Sequence, residues 1–344
     1  MVQLKQTVNS LLAIAAGVLL LASCSEMGRQ PAQVFQGDFS ASGRYYAYIY
    51  HSTFIYSYER KGGSTTRRGS NTNYLQVVDT ASGRKLLDAP LEIDSSDCTF
   101  PQLGTANDAY VVIACQGHQG ESLAPMVFSL ASRTLTFTGA ALLERNPGMA
   151  LDGASFTDFR RDPAQPDAVL FQGKDGRTYR LNPETGAAQV ATGEFESFRG
   201  ISWQLDGELP KGLREAGDGR RYIARENDPT QRSQVDFLKP QYLFLGAEDS
   251  MHERPATLFD GGMLVLSRTD KTSGQHKLLS LVDPATLATR WSTPLPQTRG
   301  DWANDFDTEQ FVLQGESLLL ANASQLLRID LKTGKITRNV NLLE

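Results

Sequence analysis

A turn motif that recurs about every fifty residues constrains the fold of this 344-residue chain more than any other feature. In each copy, a strand-like run leads into a capping Asp, Asn or Ser, a few polar residues follow, and a second run begins. The capping residues are Asp79, Ser129, Asn182, Asp283 and Asp330. Successive positions differ by 50, 53, 101 and 47, so the long interval predicts a degenerate copy near residue 232, at Asp228-Pro229-Thr230-Gln231.

Each copy has the chemistry of a hairpin turn. The Asp or Asn side chain accepts hydrogen bonds from nearby backbone amides, Thr or Ser adds a second local bond, and Gly takes the positive φ that ends the turn. Short strands repeated at this period are typical of a β-propeller, and the alternative is an irregular β-sandwich. We predict an all-β fold, with a β-propeller of six or seven four-stranded blades over residues 34–344.

The turns resemble the repeat of quinoprotein-like (PQQ-like or WD-like) β-propellers, in which a strand leads into Asp-x-x-Thr-Gly-x-x-x-x-Trp. The matching residues are Asp283, Thr286 and Trp291 in one copy, and Asp330, Thr333 and Gly334 in another. The resemblance implies architecture only. Quinoprotein dehydrogenases use adjacent cysteines and a calcium site, whereas Cys98 and Cys115 are not adjacent, so we predict no cofactor.

The N-terminus has the pattern of a lipoprotein signal peptide. Lys5 precedes an apolar run from Leu11 to Leu20, which is shorter than the about 20 residues of a membrane span. The following Leu21-Ala22-Ser23-Cys24 matches the lipobox of bacterial lipoproteins. This resemblance implies cleavage between Ser23 and Cys24 and acylation of Cys24, with residues 1–23 as signal peptide and 24–33 as lipidated tether. In lipoproteins of Gram-negative bacteria, an aspartate after the acylated cysteine tends to retain the protein in the inner membrane. Ser25 stands at that position here, which favours the outer membrane, with the propeller facing the periplasm. A lipobox before such a propeller is similar to the lipoprotein subunit of the outer-membrane β-barrel assembly machinery.

The charge of the mature chain argues against nucleic acid as a partner. Residues 1–23 contain one of the 34 basic residues and none of the 39 acidic ones, which leaves the mature chain a formal net charge of 33 − 39 = −6.

The two cysteines that remain after acylation, Cys98 and Cys115, predict one structural disulfide in an exported protein, and two buried free thiols are the alternative.

Motifs of enzyme chemistry are missing from the sequence. The four histidines are scattered, and neither a Gly-x-Ser-x-Gly elbow nor a nucleotide-binding glycine motif occurs. The acidic run from Asp301 to Glu309 could offer oxygens to calcium, but it lacks the glycine of a calcium loop, so we favour a solvated edge and predict no metal. We therefore expect a non-enzymatic protein, and a ligand-binding or hydrolytic propeller with a site at its central channel is the alternative.

Two features could bind a partner. The segment from Ser57 to Asn73 is predicted to be a mobile loop, and its basic residues could bind an acidic partner or phosphorylated lipid, or could simply be solvated. Those residues are Arg60, Lys61, Arg67 and Arg68. Trp203 and Trp302, near the start of inner strands, have hot-spot composition, and packing between blades is their alternative role. We predict an outer-membrane lipoprotein whose propeller is a scaffold for an envelope protein.

Cys24→Ser should release the chain from the membrane fraction, because it removes the acylated residue. Cell fractionation followed by immunoblotting measures this. Tight membrane association of the variant would contradict the lipobox assignment.

Overall fold

The computed structural model describes residues 28–30, 32–61, 64–93, 96–152, 159–162, 165, 167–191, 213–215, 221–223, 258–268, 277–283, 288–296, 310–322 and 324–344. These residues form several antiparallel sheets with a single short helix among them, which confirms the all-β prediction. The predicted turn copy near residue 232 lies outside them.

The first sheet is built around two long strands, β3 and β4, that pair with each other along their whole length. A short strand from the N-terminal segment, β1, and the longer β2 both pair with β3, while β5 and β6 pair with β4. The strands are β1 (Gly28–Arg29), β2 (Gln33–Phe39), β3 (Tyr45–Lys61), β4 (Ser64–Asp79), β5 (Arg84–Lys85) and β6 (Leu91–Ile93).

The later sheets are meanders in which strands that are consecutive in the chain are neighbours in the sheet. The second sheet comprises β7 (Phe100–Ala106), β8 (Tyr110–Gln116), β9 (Ser122–Ser129) and β10 (Thr134–Phe137), and helix α1 (Gly139–Arg145) follows it. The third comprises β11 (Arg160–Arg161), β12 (Val169–Gln172), β13 (Thr178–Leu181) and β14 (Ala188–Val190). A described pair, β15 (Leu213–Glu215) and β16 (Arg221–Ile223), comes next. The penultimate sheet comprises β17 (Leu258–Phe259), β18 (Gly262–Arg268), β19 (Lys277–Val282) and β20 (Thr289–Pro294). The last comprises β21 (Gln310–Gln314), β22 (Ser317–Ala321), β23 (Gln325–Asp330) and β24 (Ile336–Asn341).

The predicted turn chemistry is present in the repeated hairpins. Asp330 Oδ1 accepts hydrogen bonds from the backbone and the hydroxyl of Thr333, at 2.8 and 2.6 Å, and Gly334 has a φ of 71°. Asp79 caps Ser82 in the same way, and Gly83 has a φ of 72°. The turn that begins at Asn182 is capped by backbone bonds alone: Asn182 Oδ1 accepts from the amides of Glu184 and Thr185, and the turn ends at Gly186. The motif therefore marks the hairpin that leads into the outer strand of a sheet.

The copy of the turn motif that begins at Ser129 ends on a residue other than glycine. Arg133 takes the positive φ, at 59°, and its backbone N–H donates to Ser129 O at 2.9 Å. The backbone geometry of the turn is thus kept without glycine, although a left-handed conformation is less favourable for a residue with a Cβ atom.

The outermost strand of one sheet packs on the turn glycine of the next. Trp291 on β20 lies so close to Gly334 that a Cβ atom there would be 2.5 Å from the indole ring. The indole N–H donates to Leu331 O at 2.8 Å, and the hydroxyl of Thr293 donates to Gly334 O at 2.6 Å. The tryptophan of the sequence motif therefore fixes the penultimate sheet to the turn of the last.

The same contact recurs at two other junctions. Phe137 at the end of β10 packs on Gly186 in the third sheet, where a Cβ atom would lie 2.8 Å from the ring. Arg338 and Val340 on β24 pack on Gly83 in the first sheet, each 3.0 Å from the position of a Cβ atom. Arg338 also donates to Ala81 O. The last sheet of the chain is thus docked on the first.

Apolar side chains fill the spaces between neighbouring sheets. One buried cluster joins the first and second sheets, a second joins the second and third, and a third joins the penultimate and last. A fourth joins the first sheet to the last, with Tyr46 and Tyr48 packed among residues such as Leu319 and Leu342. The core is therefore distributed between sheets rather than gathered at one centre.

The predicted disulfide is present. Cys98, just before β7, is bonded to Cys115 on β8, with the Cα atoms 5.2 Å apart. Both residues are buried in the cluster between the first and second sheets. The bridge therefore fixes the entry of the chain into β7 against its neighbouring strand.

Gly334→Ala should lower the free energy of unfolding by about 2–4 kcal/mol, because the methyl group adds a clash with Trp291 to the strain of a positive φ. The matched control is Gly176→Ala, where φ is 76° and no atom lies within 4 Å, so only about 1 kcal/mol of strain is expected. Urea denaturation measures both variants. Equal losses would show that the contact with Trp291 contributes nothing.

The capped turns should make the protein lose stability in acid. Hydrogen bonds from the side chain and backbone of Thr333 lower the pKa of Asp330. At Asp79, burial alone would raise the pKa, but hydrogen bonds from Ser82 and Ala81, together with the charge of Arg44, lower it overall. A carboxylate whose pKa is lowered by folding stabilises the fold when the pH is above its pKa in the unfolded state, which is near 3.8. This stability is lost as the pH falls below that value and through the lower pKa of the folded state. A variant with Asp79→Asn and Asp330→Asn keeps the acceptors but cannot titrate there. Urea denaturation between pH 3 and 6 should show a shallower loss for the variant, and identical profiles would contradict this assignment.

Candidate binding surface

The residues predicted to be a mobile loop form the outer half of a long β-hairpin. β3 and β4 pair up to Lys61 and Ser64, whereas the flanking strands end earlier, at the partners Ile55 on β3 and Asn73 on β4. We call Phe54–Lys61 with Ser64–Ser70 the arm; among the described residues, only these two strands form it beyond Ile55. The loop prediction is wrong: the segment is rich in Ser, Arg and Gly, which are typical of loops, but its described residues are paired strands. The Gly-Gly pair between Lys61 and Ser64 is a hairpin signal that could have revealed them.

A row of aromatic rings supports the base of the arm. Tyr46, Tyr48 and Tyr50 follow one another on β3, with ring centroids 5.9 and 6.0 Å apart, and Tyr50 stacks on Tyr74 at 5.2 Å. Burial, together with the neighbouring tyrosines, raises the pKa of Tyr48, so this phenol stays neutral. Its hydroxyl donates to Leu342 O in the last sheet. The base of the arm is therefore held by both the first and the last sheet.

A β-bulge interrupts the hairpin where the arm begins. Tyr56 has no partner in the ladder, because the pair Ile55–Gly69 is followed by Ser57–Arg68. A Cβ atom on Gly69 would lie 2.7 Å from Phe54 O, so glycine is needed opposite the bulge. Bulges redirect side chains at functional sites. Here Phe54 and Tyr56 are 51% and 59% exposed, while Ile55 between them is buried.

The outer part of the arm is basic. Lys61, Arg67 and Arg68 are exposed, and the Arg67 guanidinium lies 5.9 Å from the centre of the Tyr58 ring. The side chain of Arg60 lies outside the described residues. Residues 57–68 contain four basic residues and Glu59, which gives a formal charge of 4 − 1 = +3 in a chain of net charge −5. The arm therefore differs in charge from the protein as a whole.

The N-terminal segment is bound to the arm. β1 runs antiparallel to β3, with Gly28 opposite Ile55 and Arg29 opposite Phe54. Gln30 N donates to Thr53 O at 2.8 Å and extends this contact. Because the pairing is antiparallel, the N-terminal end of β1 at Gly28 faces the tip of the arm. Ser23 and Cys24 lie outside the described residues.

A polar cluster joins β2 of the first sheet to the first strands of the second and third sheets. Asp38 on β2 accepts hydrogen bonds from Ala106 N at 3.1 Å, from the Thr105 hydroxyl at 3.4 Å and from Arg161 at 3.3 Å. Arg161 on β11 also donates to Ala106 O at 2.7 Å and to Phe39 O. Sequence reasoning missed this cluster because its members lie in distant parts of the chain. Its polar groups bond to one another and to neighbouring backbone, which suits a connection between sheets.

The other predicted site residues are not tested by the structure. Trp203, Trp302 and the acidic run from 301 to 309 lie outside the described residues. Within the described ranges, no group of three or more His, Cys, Asp or Glu side chains is placed to hold a metal ion. Among the same residues, no helix is both long enough and apolar enough to span a bilayer.

The comparisons with known proteins show no family for this chain. The sequence matches no protein-family model and no curated protein. Among solved structures, it is similar to apo AztD from Citrobacter koseri, with 10% identity over 90% of this chain and 86% of that one and a TM-score of 0.25. A second structure of Citrobacter koseri AztD gives 10% identity, the same coverages and a TM-score of 0.23. A puromycin-hydrolyzing peptidase from Mycobacterium tuberculosis gives 12% identity over 91% of this chain and 39% of that one, with a TM-score of 0.32.

These similarities correct one prediction and leave the family unassigned. The prediction of a non-enzymatic protein depended on motifs missing from the sequence, and it is withdrawn because a peptidase is among the similar structures. With TM-scores below 0.5, neither the fold nor the activity of these proteins is transferred to this chain. The resemblances to quinoprotein-like propellers and to lipoproteins remain resemblances.

Trypsin should cut the native protein slowly after Arg67 and Arg68, because a protease requires an unpaired extended segment and both residues are paired in the hairpin. Gly69→Val should accelerate these cuts by disturbing the bulge. Mass spectrometry of timed digests measures the rates. Immediate cleavage at both residues of the native wild-type protein would show that the arm is a mobile loop after all.

Proposed function

We propose that this chain is an outer-membrane-anchored periplasmic lipoprotein that serves as a scaffold for another envelope protein. In this proposal, acylated Cys24 holds the chain in the bilayer. The sheets form a β-propeller of six or seven blades, which provides the rigid body. The arm presents the exposed aromatic residues that bind the protein partner.

The docking of successive sheets supports the proposed propeller. A propeller needs repeated meanders whose neighbours pack in order and whose last sheet returns to the first. The contacts of Trp291 with Gly334 and of Val340 with Gly83 provide two of these junctions, one of which joins the two ends of the chain. The polar cluster around Asp38 and Arg161 links β2 to the first strands of the next two sheets, as expected for strands that surround a common axis.

One observation carries the scaffold proposal: exposed aromatic residues lie on a paired strand, directly beside the segment that leads to Cys24. Phe54 is opposite Arg29 of β1, and Tyr56 follows two residues later at the bulge. Aromatic side chains held by a rigid backbone contribute large contact areas at low entropic cost, and Tyr is enriched among interface hot spots. The proposed binding surface is therefore close to the proposed anchor.

A photo-crosslinking amino acid at position 56 of the acylated full-length chain tests this proposal. We expect a protein adduct of defined mass from envelope membranes, because Tyr56 is placed at the interface. The matched control carries the photo-crosslinking amino acid in place of Val190, a hydrophobic residue that is 48% exposed on β14 in the third sheet, and should not give this adduct.

The same adduct should weaken when Phe54→Ser is added to the crosslinking chain. Absence of a protein adduct at position 56 would contradict the scaffold proposal. A small ligand that raises the melting temperature, with no protein recovered, would instead favour the channel-site alternative.

A further inference from the structure

The position of β1 sets a limit on where an anchored N-terminus can meet the membrane. Gly28 is level with Ile55 at the start of the arm. Cys24 precedes Gly28 by four residues, so its Cα atom can lie at most ~14 Å from that of Gly28. The arm continues for six residues from Ile55 to Lys61, which is about 20 Å at the rise of a β-strand.

The arm is therefore longer than the reach of the tether. Acyl chains on Cys24 would enter the bilayer within ~14 Å of Gly28, and the arm extends farther than this on the side that the N-terminal end of β1 faces. The headgroup layer then meets the outer part of the arm, where Lys61, Arg67 and Arg68 are exposed. Arg68 and Arg67 are level with Ser57 and Tyr58, within the ~14 Å that Cys24 can reach from Gly28.

We infer that Lys61, Arg67 and Arg68 bind the anionic headgroups of the bilayer into which Cys24 is inserted. The inference rests on the acylation of Cys24 in the proposed function, and it adds a second membrane contact made by the folded domain. Basic residues near an anionic membrane surface each strengthen binding about fivefold, so three correspond to roughly a hundredfold. An acyl anchor combined with a basic patch is an effective pair of membrane signals.

This arrangement gives the two parts of the arm separate roles. The basic residues face the headgroups, while Phe54 and Tyr56, nearer the sheets, stay available to a protein partner. The contact also fixes the orientation of the sheets above the membrane, since the arm is held at its base by the aromatic row. An acyl anchor alone would not set that orientation.

Flotation with lipid vesicles tests the inference. The protein is the full mature chain carrying Cys24→Ser, so that binding reports the folded domain without its acyl chains. We expect it to bind vesicles of phosphatidylcholine with about 30% phosphatidylglycerol at least about tenfold more strongly than vesicles of phosphatidylcholine alone. This preference should vanish in about 0.5 M salt, where surface charges are screened.

The test variant is Lys61→Gln, Arg67→Gln and Arg68→Gln, which should lose the preference for anionic vesicles. The matched control is Lys174→Gln, Arg177→Gln and Lys335→Gln, which removes the same charge from exposed residues elsewhere and should retain it. Equal binding to both vesicle types, or equal loss in both triple variants, would overturn the inference. Loss of the Tyr56 protein adduct without any change in vesicle binding would assign the basic residues to a protein and overturn it as well.

The proposed function fails by a different result. If the acylated wild-type chain itself is not recovered with membranes, the anchor is wrong. If the wild-type chain is recovered with membranes but the vesicle preference is missing, the anchor stands and only the inference about the arm is lost.

Discussion

The structure depends on the docking of an outer strand on the turn of the next sheet. A four-stranded meander is too small to bury both of its faces by itself, so its stability comes from its neighbours. At the described junctions of this kind, a neighbouring side chain packs tightly on a turn glycine: Trp291 and Phe137 leave no room for a Cβ atom at Gly334 and Gly186, and Val340 would have to shift to admit one at Gly83. The glycine therefore serves two purposes: it adopts the positive φ of the turn, and it leaves room for the neighbouring strand.

The proposed function follows from where this docking joins the two ends of the chain. The last sheet packs on the turn at Gly83, and Tyr48 donates to Leu342 O within the same junction. β3 continues beyond this junction as the arm, and β1 pairs with β3 where the arm begins. β1, the exposed aromatic residues and the basic residues are consequently found on one hairpin, with the basic residues nearest its tip.

The sequence predicted features whose signals are local, and it failed where partners are distant. The capped turns at Asp79 and Asp330 were identified because the capping residue, the hydroxyl and the glycine lie within five positions of one another. The disulfide followed from cysteine number. The link between Asp38 and Arg161 spans 123 residues and leaves no local pattern. The arm was missed because its polar strands resemble a loop until pairing gives them a partner.

A double-mutant cycle between Gly83 and Val340 tests this account most directly. Urea denaturation would measure Gly83→Ala, Val340→Ala and the double variant. If β24 docks on the turn of the first sheet, Val340→Ala makes room for the new methyl group, and Gly83→Ala should cost less in that background, with a coupling of at least about 0.5 kcal/mol. Additive losses of free energy would contradict the contact that joins the first and last sheets, and with it the proposed β-propeller.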